Sequence, residues 1–134
     1  MNLTNQPTHI KSAVILIAFP LVIGFIKFAF DYDFITSLAP ILITMIIMVI
    51  TALIMLFFAY KIWTGRNWAR IVFTVFFVIG IYPAFLLLPA EANRSVLVFL
   101  GSILQVLSQV AAIIFMYLPT SNNWFKSVKA AKNA

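Results

Sequence analysis

Few side chains in this sequence could perform acid–base, nucleophilic or metal chemistry. The chain has no cysteine and a single histidine, His9, so a thiolate nucleophile and a cysteine-based metal site are both excluded. Its carboxylates are Asp31, Asp33 and Glu91. Asp31 and Asp33 could bind a cation weakly, but charges on a solvated turn are the simpler interpretation. We therefore predict no catalytic residue, no metal site and no cofactor, in a protein that is not an enzyme.

Lys27 is the charged residue that the sequence places inside a long apolar segment. An ionisable group within a membrane span is a candidate functional residue, because lipid solvates charge poorly. Lys27 lies about one helical turn from the end of its segment, so its ammonium could extend to the bilayer surface or pair with Asp31 at i+4. The functional alternative is that Lys27 binds an anionic headgroup or a carboxylate on a partner helix.

The composition indicates that the chain is surrounded by lipid. Of its 134 residues, 64% are hydrophobic and 9% are charged, whereas soluble domains carry about 25% charged residues. Mean hydropathy is +1.11. The net charge of +6 is therefore interpreted as a topology signal, and not as a nucleic-acid-binding surface. The length predicts one domain, residues 1–134.

Four apolar stretches are each long enough to cross a bilayer as a helix, which takes about 20 residues. The fold class predicted is therefore all-α, an integral membrane four-helix bundle. The predicted spans and the tail that follows them are residues 12–30, 38–60, 69–88, 95–118 and 119–134. We expect Pro20 to kink the first span, Pro40 to open the second, and short turns at 31–33 and 89–94 to join the spans.

The basic residues predict the orientation of the spans. One side would carry Lys11, Lys61, Arg66, Arg70, Lys126, Lys129 and Lys132. The opposite side would carry Lys27 and Arg94 together with all the acidic residues. Basic loops resist translocation, so the positive-inside rule places both termini in the cytoplasm.

The ends of the second and fourth spans share a pattern. Phe58–Tyr60 and Phe115–Tyr117 both read F-x-Y, and each precedes an N-W-x-[R/K] sequence. Two explanations stay open: duplication of a two-helix unit, giving parallel repeats, or shared chemistry at the bilayer surface. The candidate interfacial residues are Arg66, Asn67, Trp68, Arg70, Asn123, Trp124 and Lys126. They could form a cytoplasmic docking or headgroup site, or simply anchor the protein in the bilayer.

The motifs GRNWAR at 65–70 and LPTSNNWF at 118–125 resemble the signature of small, uncharacterised bacterial four-helix inner-membrane proteins. The two motifs cover a minor part of the chain. The resemblance implies a four-helix fold and a location in the bacterial inner membrane. It implies no particular reaction.

The fourth predicted span carries a stripe of small and polar residues on one helical face. Its members are Gly101, Ser102, Gln105, Ser108, Gln109 and Ala112. Small residues allow helices to approach closely, and Gln and Ser side chains can form hydrogen bonds between helices. The stripe could therefore pack inside the bundle, form a subunit interface or line a polar permeation path.

The function predicted from these features is that of a small, non-enzymatic accessory or interaction subunit. It would bind through the polar face of the fourth span and through the basic cytoplasmic loops. The expected partners are anionic lipid headgroups and another membrane protein or a second copy of the chain, with no nucleic acid. One alternative is a small oligomeric channel or transporter. A second is a protective membrane protein, such as an immunity protein.

Overall fold

A computed structural model describes residues 6–133 of the chain. Within that range the protein is all-α, which confirms this part of the predicted fold class. The helices are α1 (Thr8–Phe30), α2 (Tyr32–Leu38), α3 (Ile41–Trp63), α4 (Asn67–Arg94), α5 (Val96–Tyr117) and α6 (Pro119–Asn133).

Helices α1, α3, α4 and α5 are long and apolar enough to cross a membrane. Most of their large apolar side chains lie on the outer surface of the protein, as at Ile15, Leu53, Ile79 and Leu107. In water, so much exposed apolar surface would be strongly unfavourable. The four helices therefore match the four predicted spans, and their surface is suited to lipid.

Helix α4 is longer than the third predicted span. It continues through Pro83 and Pro89 to Arg94, so the turn expected at residues 89–94 is helical. Ser95, the residue after the helix, has an extended backbone. Ser95 then caps α5, because its hydroxyl accepts a hydrogen bond from the Val98 amide at 3.4 Å.

Two further helices lie where the sequence predicted a turn and a tail. Helix α2 follows directly after Asp31 and occupies part of the predicted acidic connection. Helix α6 is formed by the C-terminal segment and begins with Pro119, a residue favoured in the first helical position. Its buried residues Ser121, Phe125 and Val128 recur at the spacing of one helical face. That face binds α6 to the rest of the protein.

The long helices pack tightly at one end and separate at the other. Helix α1 packs most extensively on α5 and also contacts α3, while α4 contacts α5 and α3. The buried core includes Ile10 and Ile17 of α1, Phe73 of α4 and Met116 of α5. Helix α3 buries only residues in its last two turns, Phe58, Ala59 and Ile62. The N-terminal part of α3 is therefore not tightly packed, and a cavity lies beside it.

Candidate functional site

Four charged side chains from α1, α4 and the α1–α2 junction meet at the loosely packed end. We call Lys27, Asp31, Glu91 and Arg94 the charged rim. The Lys27 Nζ lies 3.0 Å from Glu91 Oε1 and also donates a hydrogen bond to the Ser102 hydroxyl. Arg94 donates from Nε to Asp31 Oδ1 at 2.8 Å and from Nη2 to Asp31 Oδ2 at 2.5 Å. The rim is thus two ion pairs, each joining distant parts of the chain.

Lys27 and Asp31, which their i+4 spacing could have paired, do not form an ion pair with each other. Asp31 pairs with Arg94, and Lys27 pairs with Glu91. The physical reason is the added length of α4, which brings Glu91 and Arg94 beside the end of α1. The carboxylate that pairs with Lys27 therefore belongs to Glu91, on another helix of the same chain. Sequence reasoning assigned Glu91 and Arg94 to a solvated turn and did not identify them as site residues.

Glu91 has one carboxylate oxygen with no partner. Its Oε1 accepts from Lys27, whereas Oε2 is buried and receives no hydrogen bond from residues 6–133. Only 20% of the Lys27 side chain and 14% of the Glu91 side chain are exposed. A buried oxygen without a donor is costly. Glu91 also lines the cavity described next, so a donor on a bound molecule could satisfy this oxygen once the carboxylate turns toward the cavity.

A cavity of about 530 Å³ extends from the charged rim into the apolar interior. Its polar lining below the rim includes Thr44, Thr51, Gln105 and Gln109. Gln105 donates from Nε2 to the Pro20 carbonyl at 2.9 Å, which fixes its side chain against α1. The apolar lining comes from Leu21, Phe25, Phe28, Phe34, Ile35, Leu38, Ile47, Met48, Ala52, Met55 and Leu87. The cavity therefore has charged groups at one end and mainly apolar walls along its length.

A second cavity of about 320 Å³ lies between α3, α4 and α5. It is lined mainly by aromatic and aliphatic groups, among them Phe73, Phe76 and Phe77. Thr51 and Gln109 line both cavities. The two cavities are therefore neighbours, and the apolar space beside α3 continues past the first cavity.

The small and polar residues predicted as an interface stripe lie on the face of α5 nearest α1. A Cβ added at Gly101 would lie 3.1 Å from the Lys27 Cγ, so glycine permits the close approach of the two helices. Ser102 binds Lys27, and Ser108 is buried and donates to the Gln105 carbonyl at 2.8 Å. Ala112 is fully buried. Except for Gln109 at the cavities, the stripe is occupied by contacts within the chain.

The two sequence motifs meet at the opposite end of the protein, around Arg70. The Arg70 Nη1 donates to the Met116 carbonyl at 2.9 Å and to Asn122 Oδ1 at 2.5 Å. Its guanidinium carbon lies 4.8 Å from the centre of the Tyr117 ring and 4.5 Å from that of Phe125. Such stacking is favourable for guanidinium groups. Arg70 therefore joins α4 to the α5–α6 junction.

The other predicted interfacial residues are not equivalent between the two motifs. Trp68 is 45% exposed and contacts the rings of Phe57 and Phe58. Trp124 is partly buried and lies against Gly65. The corresponding basic residues also differ, because Arg70 is enclosed and Lys126 is exposed. Asn67 is partly buried, and its Oδ1 has no hydrogen-bond partner among the described residues. Arg66 and Asn123 are exposed.

The arrangement places two ion pairs beside an apolar cavity, groups that could hold a bound molecule. Among residues 6–133, no group of three or more His, Asp or Glu side chains could hold a metal ion. Comparison with protein-family models, curated proteins and solved structures yields no match. The resemblance to small bacterial inner-membrane proteins accordingly stays a prediction. In the described part of the chain, the cavity with its charged rim combines charged groups with apolar walls.

Proposed function

We propose that this chain is a non-enzymatic, multi-pass membrane protein that binds an amphiphilic molecule from the bilayer. The observation that carries the proposal is the cavity of about 530 Å³, apolar along its walls and charged at one end. Ligand cavities in proteins typically measure about 300–1,000 Å³ and combine apolar walls with a few polar groups. A molecule with an apolar chain and a polar head has the matching distribution of polarity.

The position of the cavity along the helices supports an amphiphile from one leaflet. On α1 the lining extends from Pro20 to Asp31, which corresponds to about 16 Å at a rise of 1.5 Å per residue. The hydrocarbon core of a bilayer is about 30 Å thick. A cavity of about half that length, ending at charged groups, corresponds to the acyl region and headgroup level of a single leaflet.

The proposed setting is the bacterial inner membrane, with the long helices forming a four-helix bundle. The charge distribution supports a cytoplasmic location for both termini. Arg66 and Lys126 would then face the cytoplasm, and the charged rim would lie in the opposite leaflet. The amphiphile would therefore enter from the outer leaflet of this membrane.

Filling the cavity tests the binding function. Ala52 lines the cavity and Leu53 is 62% exposed on the lipid side of the same helix. We expect Ala52→Trp to reduce the lipid retained by the purified protein at least about fivefold, whereas Leu53→Trp leaves it unchanged. Native mass spectrometry from nanodiscs measures retained lipid. Equal retention in wild type and Ala52→Trp, with both folded, would contradict the proposal.

An accessory-subunit role is a second candidate, supported by a different surface. Lys61, Arg66, Trp68, Lys126 and Lys129 combine positive charge and aromatic area at the motif end. Arg66, Trp68, Lys126 and Lys129 are exposed, and Lys61 lies over the Phe57 and Tyr60 rings. Anionic headgroups or an acidic segment of a partner protein would suit this surface.

The accessory role is tested by co-purification in nanodiscs. We expect a bound protein partner, or a second copy of the chain, to be lost in an Arg66→Glu, Lys126→Glu variant. A Gln105→Leu, Gln109→Leu variant should retain the partner, because Gln105 is bound within the chain. A monomer with no partner in wild type would contradict this second candidate.

A further inference from the structure

We propose that the charged rim recognises a phosphoethanolamine headgroup, and thereby selects an aminophospholipid for the cavity. This inference rests on the proposed function, since it names the headgroup of the amphiphile that the cavity binds. In the proposed complex, the Glu91 carboxylate turns toward the cavity and its Oε2 accepts from the ammonium. The phosphate accepts from Arg94 and Lys27, and an acyl chain occupies the apolar cavity.

The unpaired Oε2 of Glu91 favours a ligand group that can donate a hydrogen bond. Oε2 is buried, unpartnered and part of a residue that lines the cavity. A carboxylate oxygen can only accept hydrogen bonds, and a charged N–H donor gives the strongest of them. A primary ammonium fits this requirement. A trimethylated ammonium has no N–H group and cannot satisfy it.

The phosphate of the headgroup would be held by N–H groups that the rim leaves unused. Arg94 directs Nε and Nη2 to Asp31, and its Nη1 makes no hydrogen bond with residues 6–133. Lys27 donates to Glu91 and Ser102, and an ammonium has three hydrogens. Arginine and lysine are the residues that proteins use to bind phosphate. Both line the same cavity as Glu91.

The spacing and the net charge of the rim agree with this headgroup. Glu91 and Arg94 are three residues apart on α4, and such neighbours have Cβ atoms about 5–6 Å apart. Two carbon atoms and an ester oxygen separate the ammonium nitrogen from the phosphorus, so the headgroup can span the two side chains. The rim holds two positive and two negative groups, and a zwitterion leaves that balance unchanged. A purely anionic headgroup would add net negative charge to the rim and offers no ammonium for Oε2.

A methylation series of one phospholipid tests the assignment with the wild-type protein alone. The full chain is reconstituted in nanodiscs with equal amounts of phosphatidylethanolamine and its mono-, di- and trimethylated forms, all with identical acyl chains. Native mass spectrometry then measures the lipid bound to the protein. We expect phosphatidylethanolamine to exceed phosphatidylcholine at least about tenfold, the ratio equivalent to about 1.4 kcal/mol. The largest single decrease should accompany the third methyl group, which removes the last N–H donor.

A variant identifies the group responsible. Glu91→Gln keeps the size of the side chain and removes its charge, so the preference for phosphatidylethanolamine should fall at least about fivefold. Asp33→Asn is the matched control, because Asp33 is exposed and lies outside the cavity lining. If Glu91→Gln does not fold, the methylation series still decides the question.

The possible results separate this inference from the binding function. Retained lipid that is displaced in Ala52→Trp but shows no headgroup preference would overturn the phosphoethanolamine assignment and keep the cavity function. Preference for an anionic phosphatidylglycerol in a direct competition would also overturn it. No retained lipid in wild type, or equal retention in Ala52→Trp, would overturn the binding function itself.

Discussion

The ammonium of Lys27 is held by groups from two other helices, the Glu91 carboxylate of α4 and the Ser102 hydroxyl of α5. The Lys27 stem packs against Gly101 of α5. A charge in a largely buried setting is stable only while its partner is present, because the lone charge keeps its desolvation cost and loses the attraction that offsets it. Lys27 and Glu91 are therefore expected to behave as a unit.

We predict that Lys27→Met lowers the free energy of unfolding by about 2–3 kcal/mol. This is below the roughly 3–5 kcal/mol found when fully buried pairs are broken, because both side chains keep some exposure. The Lys27→Met, Glu91→Met double variant should lose less than the single variant, since it leaves no unpaired charge. Unfolding in mixed detergent micelles provides the measurement. A double variant less stable than Lys27→Met would show that the pair does not act as a unit.

Arg70 has a different role, because its planar guanidinium binds two oxygen atoms and lies between two aromatic rings. Lysine keeps the charge but lacks the planar donor group. We predict that Arg70→Lys lowers the free energy of unfolding by roughly 1–3 kcal/mol. Arg66→Lys is the matched control, because Arg66 is exposed. Equal stability of the two variants would mean that charge alone suffices at residue 70.

At the scale of helices, the loop between α3 and α4 determines how α6 packs. Gly65 has a φ of +72°, a conformation that is unfavourable for residues with a Cβ. A Cβ at this position would also lie 2.7 Å from Val128 Cγ1 and 3.2 Å from the Trp124 ring. Valine is stiff about χ1, so α6 itself would have to shift. Gly65 of the GRNWAR motif thus leaves space for α6, the helix that contains most of the LPTSNNWF motif.

We predict that Gly65→Ala destabilises the attachment of α6 by about 1–3 kcal/mol, the cost typical of a strained backbone position. Limited proteolysis should then cleave α6 sooner than in wild type. Gly80→Ala is the control, because a Cβ there meets no atom within 4 Å and alanine favours a helix. If both alanine variants resist proteolysis like wild type, Gly65 is not needed for the packing of α6.

The long helices could be predicted because hydrophobic length is a strong signal in a chain of this kind. The end of α4 could not, since Pro89 and the charged residues after it are typical of a turn, although the helix continues to Arg94. Because a turn was predicted at residues 89–94, the sequence did not indicate the charged rim. The rim forms only because Glu91 and Arg94 lie on a helix that reaches the end of α1. Lys27 was identified as a candidate from the sequence. Its partner was not, because Lys27 and Glu91 are 64 residues apart and residue spacing carries no information at that range.

At the scale of the whole molecule, packing is unequal between the two ends. The motif end contains a continuous core with Ile10, Ile62, Met116 and Phe125, all almost completely buried. At the other end, the cavity separates the N-terminal part of α3 from its neighbours. Regions with few buried contacts open at lower free energy than well-packed regions. The rim end is therefore expected to move to admit a ligand while the motif end stays fixed.

The absence of cysteine from the sequence makes the orientation directly measurable. We predict that a membrane-impermeant maleimide applied from outside labels an Asp33→Cys variant and does not label an Asn123→Cys variant, because the positive-inside rule places residue 123 in the cytoplasm. Both positions are exposed. After the membrane is permeabilised, both variants should react. Labelling of the Asn123→Cys variant in intact cells would reverse the proposed topology.

The close packing of α1 on α5 has a consequence for biosynthesis. About 65 residues separate the end of α1 from the start of α5, so translation at about 5–20 residues per second takes roughly 3–13 seconds to produce the intervening chain. During that interval the nascent α1 lacks Ser102, and Glu91 is added to the chain only near the end of the interval. Helix α1 thus waits for α5 to complete its packing, and a chain truncated before Glu91 would leave Lys27 without its ion-pair partner.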